Sequence, residues 1–150
     1  MHTLNELKCT FPARSENESF ARTMVCAFAA QLDPTLEELA DLRTAVSEAV
    51  TNCIVHGYRD SGEGTVAVTV RLLPQKMIYV RIADKGCGIA DIAQAMQPLW
   101  TGAPETERAG LGFTVMQSFT DQLIVRSREG SGTTVIMRKK MQQVQQHDGS

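Results

Sequence analysis

Several things are scarce in this sequence, and each scarcity removes a class of function. Neither sign of charge dominates: the formal net charge is −2 and the sequence pI about 5.9. A protein that binds nucleic acid directly usually carries a strongly basic face, so that class is not expected. Four cysteines, Cys9, Cys26, Cys53 and Cys87, form no CxxC pair, and His2, His56 and His147 lack zinc-ligand spacing. Reduced thiols and a cytoplasmic location are the expectation. There is no apolar signal core at the N-terminus and no run long enough to cross a bilayer, so no membrane association is expected. A Walker GxxxxGK[ST] loop is absent, no βαβ unit surrounds any glycine cluster, and no internal repeat is visible. What remains is 150 residues, 43% of them hydrophobic, enough for one domain with a core of its own.

The periodicities predict an element order β, α, α, β, β, loop, α, β, β. Leu7, Cys9 and Phe11 alternate with polar residues and read as a strand ended by Pro12. The stretch SENESFARTMVCAFAAQLDP reads as a helix, with Ser15 and Glu18 in a capping-box pattern and Phe20, Met24 and Phe28 as its apolar stripe. A second helix is predicted from about Thr35 to His56, with an apolar face of Leu39, Leu42, Val46, Val50 and Cys53 and with Gly57 as C-terminal cap. GTVAVTVRLL and KMIYVRIAD read as an antiparallel pair around Pro74 and Gln75. LGFTVMQSF reads as a helix, with one helical turn expected before it at Asp91 to Met96, and DQLIVRSRE and GTTVIMRKK read as a closing hairpin. Strands segregated from helices indicate an α+β, two-layer sandwich with a mixed, largely antiparallel sheet. Residues 1–140 form the expected single domain, and the polar residues 141–150 a frayed tail.

Three motifs stand out from this frame. In SEAVTNCIVHG, Glu48, Asn52 and His56 recur every fourth residue on one side of the second helix. The bland reading is a solvated face. Against it, Glu48 has no cation at i±3 or i±4, where exposed helical glutamates usually have one. Asn, Thr and His are also mediocre helix formers, so the last turns gain nothing from them. A carboxylate, an amide oxygen and an imidazole in a row suit a hydrated divalent cation beside a hydroxyl. DKGCGI, Asp84 to Ile89, has glycines two and four residues after an aspartate, which permits close backbone approach to a flat or phosphorylated ligand; alone, it is more often an ordinary turn. RAGLGF, Arg108 to Phe113, places two glycines where a helix starts, and the exposed N–H groups there suit an anion; alone, it is a common helix start. The long Gly- and Pro-rich segment between the glycine motifs has the length of a functional lid, with Trp100 either its anchor or a core plug.

Taken in order, EAVTN with HG, then DKGCG, then GLGF, the motifs resemble the N box and glycine boxes of the GHKL, or Bergerat-fold, ATP-binding family. The stretches NESFAR, QLDPT, VSEAVTNCIVHGY, QPLWT and ERAGLGF further resemble its anti-sigma factors with serine kinase activity, most closely the sporulation, sigma F, type. The likeness runs from about Leu7 to Lys140. The wider family often has glycine where this chain has Arg108; the anti-sigma kinases carry arginine there.

The resemblance implies ATP and ADP as ligands, with Mg²⁺ held between the phosphates and Asn52. It implies Glu48 as the catalytic base and Asp84 as the acceptor for the adenine amine. Gly86 and Gly88 would lie against the purine, with Thr133 as a water-mediated contact. Arg108, Gly110, Leu111, Gly112 and Phe113 would form the phosphate-binding turn. Arg22, on the first helix, would face the protein partners, which are a sigma factor of the F type and a STAS-fold anti-anti-sigma protein phosphorylated on serine. The small-residue run CAFAAQL and the family habit imply a homodimer. His56 is either a phosphate neighbour or a helix-end residue. Two other readings stay open: a kinase of the same subfamily serving a stress sigma factor, and a nucleotide-gated binding module without catalysis.

Overall fold

A computed structural model describes residues 2–59, 63–89 and 112–142. Its strands are β1 (Asn5–Pro12), β2 (Thr65–Leu73), β3 (Met77–Asp84), β4 (Gln122–Arg128) and β5 (Gly132–Lys140). Its helices are α1 (Glu16–Ala29), α2 (Leu36–Thr51) and α3 (Phe113–Ser118). A 3₁₀ turn at Ala30–Leu32 follows α1, and a π-helical turn at Asn52–Gly57 follows α2. The five strands form one sheet in the order β1-β2-β3-β5-β4, antiparallel at every pairing. The helical turn expected at Asp91–Met96, Trp100 and residues 143–150 of the expected tail lie outside the described residues; the tail's first two residues are docked, with Met141 buried in the core and the Gln142 amide donating to Glu38, so the fold extends past the expected boundary at residue 140.

Strict alternation in β2 and β3 turns Val66, Val68, Val70, Ile78, Val80 and Ile82 to one face, joined there by Val135 and Met137 of β5. That face packs under α1, α2 and the π turn, which contribute Val25, Leu42, Val46, Val50 and Ile54, all essentially inaccessible to water. The opposite face is thinner: Leu73, Tyr79 and Ile136 cluster there, and the guanidinium groups of Arg71 and Arg138 flank the Tyr79 ring at 5.1 and 5.0 Å. These are cation–π distances. The β2–β3 turn closes through Gln75 and Lys76, both with left-handed backbone (φ 65° and 58°), which matches the twist of a tight hairpin.

Three local expectations are corrected. The capping box sits on α2: Thr35 Oγ1 accepts from the Glu38 amide, and Glu38 Oε1 accepts from the Thr35 amide. Ser15 instead adopts helical angles, which turn its hydroxyl away from the first-turn amides, and the Glu18 carboxylate is bonded to Ser47. On α1 the face against the sheet is Ala21, Val25 and Ala29; Met24 and Phe28 flank it, and Phe20 is 51% exposed. Small residues bring α1 close to α2, and the larger apolar side chains are left at the rim. Gly57 is no left-handed cap either. A Cβ there would press on the Asp84 carboxylate at 3.0 Å, so glycine is needed at this position for close approach.

Candidate functional site

The regular α-helix stops at Thr51 and widens into the π turn. π turns insert an extra residue per turn and are concentrated at functional sites. Here the wider turn carries Asn52, Cys53 and His56 to the C-terminal end of β3, where Asp84 begins the first glycine loop. Between them lies a narrow recess. Its walls include Asn52, His56, Asp84, Gly88, Phe113 and Thr133. Its lining is mostly apolar with a few polar groups, the composition of small-ligand sites.

Asp84 is 8% exposed, and among the described residues it is the one buried charged side chain. Its Oδ1 accepts from the amides of Gly86 (2.8 Å) and Thr133 (3.3 Å), and the Cys53 thiol is hydrogen-bonded to the same carboxylate. Burial raises the Asp84 pKa, and the bonds from Gly86, Cys53 and Thr133 oppose that shift. Burial, with the Asp84 charge beside it, drives the Cys53 thiol well above its ordinary value. Asp84 is thus an acceptor fixed by three donors on the wall of a recess.

The first glycine loop is clamped by protein on both sides. A side chain on Gly86 would overlap the Gly57 carbonyl, and one on Gly88, itself left-handed at φ 74°, would overlap the Arg128 carbonyl. The Cys87 amide donates to Gly57 O at 2.8 Å, and the Gly130 amide donates to Cys87 O at 2.6 Å. The close approaches at Gly86 and Gly88 are therefore to neighbouring backbone; Gly88 also lines the recess. Tyr58, just past the π turn, locks the arrangement: its hydroxyl accepts from the Lys85 amide and donates to Thr65 O.

Glu48 lies one helical turn before Asn52, beside the recess. A Cβ on Gly112 would collide with its carboxylate, so the glycine that opens α3, with φ 67°, leaves room for Glu48. The carboxyl is held above its ordinary pKa, first by burial, then by the nearby Glu18 charge, with His56 pulling the other way. Glu18 also accepts from Ser47 Oγ at 2.8 Å and faces Arg22 Nε at 3.6 Å. Arg22 itself is 39% exposed and lies on α1, outside the recess. Arg108, Gly110 and Leu111 fall outside the described residues.

The structure thus brings Asn52, Asp84, Gly88, Phe113 and Thr133 to one cavity and sets Glu48 against Gly112 beside it. Sequence reasoning missed Cys53, placed only on the apolar face, and Ser127, which bonds to both Ile89 and Thr133. The poor helix formers Thr51, Asn52 and His56 were the available signal for the irregular turn. Among the described residues no cluster of three or more His, Cys, Asp or Glu side chains could hold a metal ion. Asn52 places an amide on the recess wall, and a single neutral ligand of that kind fits a cation held mainly by phosphate and water.

Comparison with known proteins identifies the family. Residues 11–139 match the histidine kinase-like ATPase domain. An anti-sigma F factor of Clostridium novyi (strain NT) is 50% identical over 141 residues, covering 94% of this chain and 98% of that protein. One from Thermoanaerobacter sp. (strain X514) is 55% identical over 139 residues, 93% of this chain and 96% of the relative. The chain belongs to the histidine kinase-like ATPase family, in its anti-sigma F factor branch.

Solved structures of this family share the fold at low identity. The RsbU and RsbW domains of Rv1364c from Mycobacterium tuberculosis superpose with a TM-score of 0.67 at 17% identity, over 91% of this chain and 32% of that one. The catalytic domain of the histidine kinase ThkA gives 0.58 at 12% identity, over 90% and 98%. The α+β sandwich expected from the sequence is the fold of the family. All four cysteines are free thiols, and no described helix is long and apolar enough to cross a membrane.

Proposed function

We propose that this chain is an anti-sigma factor that is also a protein serine kinase: it holds a sigma factor of the F type and, with MgATP, phosphorylates a serine on a STAS-fold anti-anti-sigma protein. The observation that carries the reading is the buried Asp84 acceptor on the recess wall, with Asn52 across from it and Glu48 one turn before Asn52. The anti-sigma F names of relatives at half identity support the sigma-factor partner.

In this reading each residue has a defined task. Asp84 accepts from the exocyclic amine of adenine, and Thr133 and Gly88 border the base. Gly112 and Phe113, with Arg108, Gly110 and Leu111 before them, line the phosphates. Asn52 offers a neutral oxygen toward Mg²⁺, which when bound offsets phosphate charge; a neutral ligand is enough because the phosphates supply the negative charge. Glu48 accepts the proton of the seryl hydroxyl. Its half-buried position and the Glu18 charge make it a better base than a free glutamate, and a positioned base typically contributes about 10²–10⁴-fold. Arg22, exposed on α1 beside Phe20, belongs to the surface that meets both protein partners, and the protein acts as a homodimer.

Glu48→Gln tests the assignment. Phosphate transfer is expected to fall by about 100-fold or more while ATP binding stays at the wild-type level. Full transfer activity in that variant would remove Glu48 from the mechanism.

A further inference from the structure

The sheet face turned away from the helices is strongly cationic, in a chain whose formal net charge is −2. Strand alternation puts Arg71, Arg81, Arg126, Arg128 and Arg138 on it. The five strands contain only two carboxylates, and one of them, Asp84, is on the helix side. The other, Glu6, bonds Arg71. Arg138 donates to Gln122 at 2.7 Å, and Arg71 and Arg138 both cover Tyr79. Arg81, Arg126 and Arg128 are left, and among the described residues none of them pairs with a carboxylate.

Register gathers these three around one hydroxyl. Arg126 stands directly opposite Thr134. Arg128 is opposite Gly132 and Arg81 opposite Ile136, each two residues from Thr134 along β5. Directly opposed Cβ atoms lie about 4.5–5.5 Å apart and diagonal neighbours about 7–8 Å, within reach of a long side chain. On its other flank Thr134 faces Ala83, and Gly132 has no side chain, so the surface dips. Arg126, Arg128, Ser131 and Thr134 line the dip. Asp84 also borders it, with Oδ1 already bonded to the Gly86 and Thr133 amides, and Glu129 follows Arg128 on the exposed turn.

Three clustered guanidinium groups without a counter-charge repel one another, and an anion relieves that. One carboxylate brings a single charge and two oxygens, which two arginine forks satisfy. A phosphomonoester brings nearly two charges and three acceptor oxygens, enough for the third fork and the hydroxyl. The dip is shallow and Arg126 and Arg128 are exposed, so a free anion is held weakly there. A phosphate carried on a protein gains further contact with half-buried Ile124, next to Ile136 on the same face. Nucleic acid would need a ring to stack on, and Tyr79 is only 8% exposed beneath its two arginines. The exposed large apolar side chains, Leu4, Phe20 and Leu36, belong to other parts of the chain, so nothing here inserts into a bilayer.

We propose that Arg81, Arg126 and Arg128, around Thr134 on the open face of the sheet, form a docking site for a phosphorylated serine or threonine side chain of a partner protein. The site does not depend on the recess holding a nucleotide.

Amide NMR titration of the whole chain, with ADP and Mg²⁺ present to fill the recess, tests it. The probes are a short peptide with one phosphoserine flanked by apolar residues, the same peptide with serine or with glutamate in its place, and inorganic phosphate. Saturable shifts at the Arg126, Arg128 and Thr134 amides are expected with the phosphopeptide, at an affinity at least about ten-fold above the other probes. Arg126→Ala should weaken binding about ten-fold, and Arg126→Lys, which keeps the charge and loses the fork, nearly as much, both with wild-type melting. A glutamate peptide that binds as tightly, or an unchanged affinity in Arg126→Lys, would show a general cationic surface and overturn the proposal. Inorganic phosphate matching the phosphopeptide would show a free-anion site and overturn it too, as would shifts confined to Asn52 and Gly88 or no shifts at all. Failure of ADP to bind would remove the nucleotide reading and leave this titration as decisive as before.

Discussion

At the scale of single residues, the proposed chemistry rests on two carboxyls whose surroundings shift them in the same direction. Glu48 is raised by burial and by Glu18 and is lowered by His56. A base must be ionised to act, so kcat for phosphate transfer is expected to decline as pH drops through a value above the ordinary glutamate range. In Glu18→Gln that decline should move to lower pH, because one of the raising charges is gone; a kcat–pH profile reads it. Asp84 is raised chiefly by desolvation. Between the ordinary aspartate pKa and the raised one, the folded state binds more protons than the unfolded chain. Its contribution to stability is therefore greatest below that window and declines as pH rises through it. Thermal melts across the acid range should show this slope in the wild type and a smaller one in Asp84→Asn, where Glu48, raised in the same direction, still contributes. Glu48, Asn52 and Asp84 stand in ordered motifs of the sequence, and Thr133 came only with the family resemblance. Cys53 and Ser127 were not legible, because their importance comes from bonds made across long sequence separations, to Asp84 in one case and to Ile89 in the other.

Among the elements, helix periods and strand alternation were readable, and irregular backbone was not. α2 was anticipated from its apolar face, yet it hands over at Asn52 to a π turn that no periodicity reveals. Capping shows the same limit. Ser15 with Glu18 and Thr35 with Glu38 carry the same spacing, and the structure uses only the second for capping. Thr35→Ala is accordingly expected to cost about 1 kcal/mol, lowering Tm by about 2–4 °C for a domain of this size. Ser15→Ala should stay within about 0.5 kcal/mol. Calorimetry on the two variants separates them. The first glycine loop makes a sharper prediction. Gly86→Ala forces a methyl into the Gly57 carbonyl, backbone against backbone, so the loop must move away from the π turn. Loss of ATP binding accompanied by a lowered Tm is expected, measured by titration and by thermal melt.

For the molecule as a whole, the site is a product of strand order. β3 pairs with β5, not with the next strand in sequence, and this places Thr133 directly opposite Asp84. The β4–β5 hairpin then reaches under the glycine loop through Gly130 and Ser127. The sequence predicts both hairpins, each specified by its own turn, but nothing local specifies which strands of the two hairpins meet. The layer architecture was legible because segregated strands and helices have few ways to bury their apolar faces. The recess was legible only as separate motifs; its closure required the long-range pairing. The proposed activity is phosphate transfer from this recess to a protein partner. It is tested most directly by incubating the chain with ATP labelled at the γ-phosphate, Mg²⁺ and its STAS-fold partner. The expected result is label on a serine of the partner, abolished by chelating Mg²⁺ and by Glu48→Gln. An unlabelled partner in the presence of chain that demonstrably binds MgATP would contradict the kinase assignment.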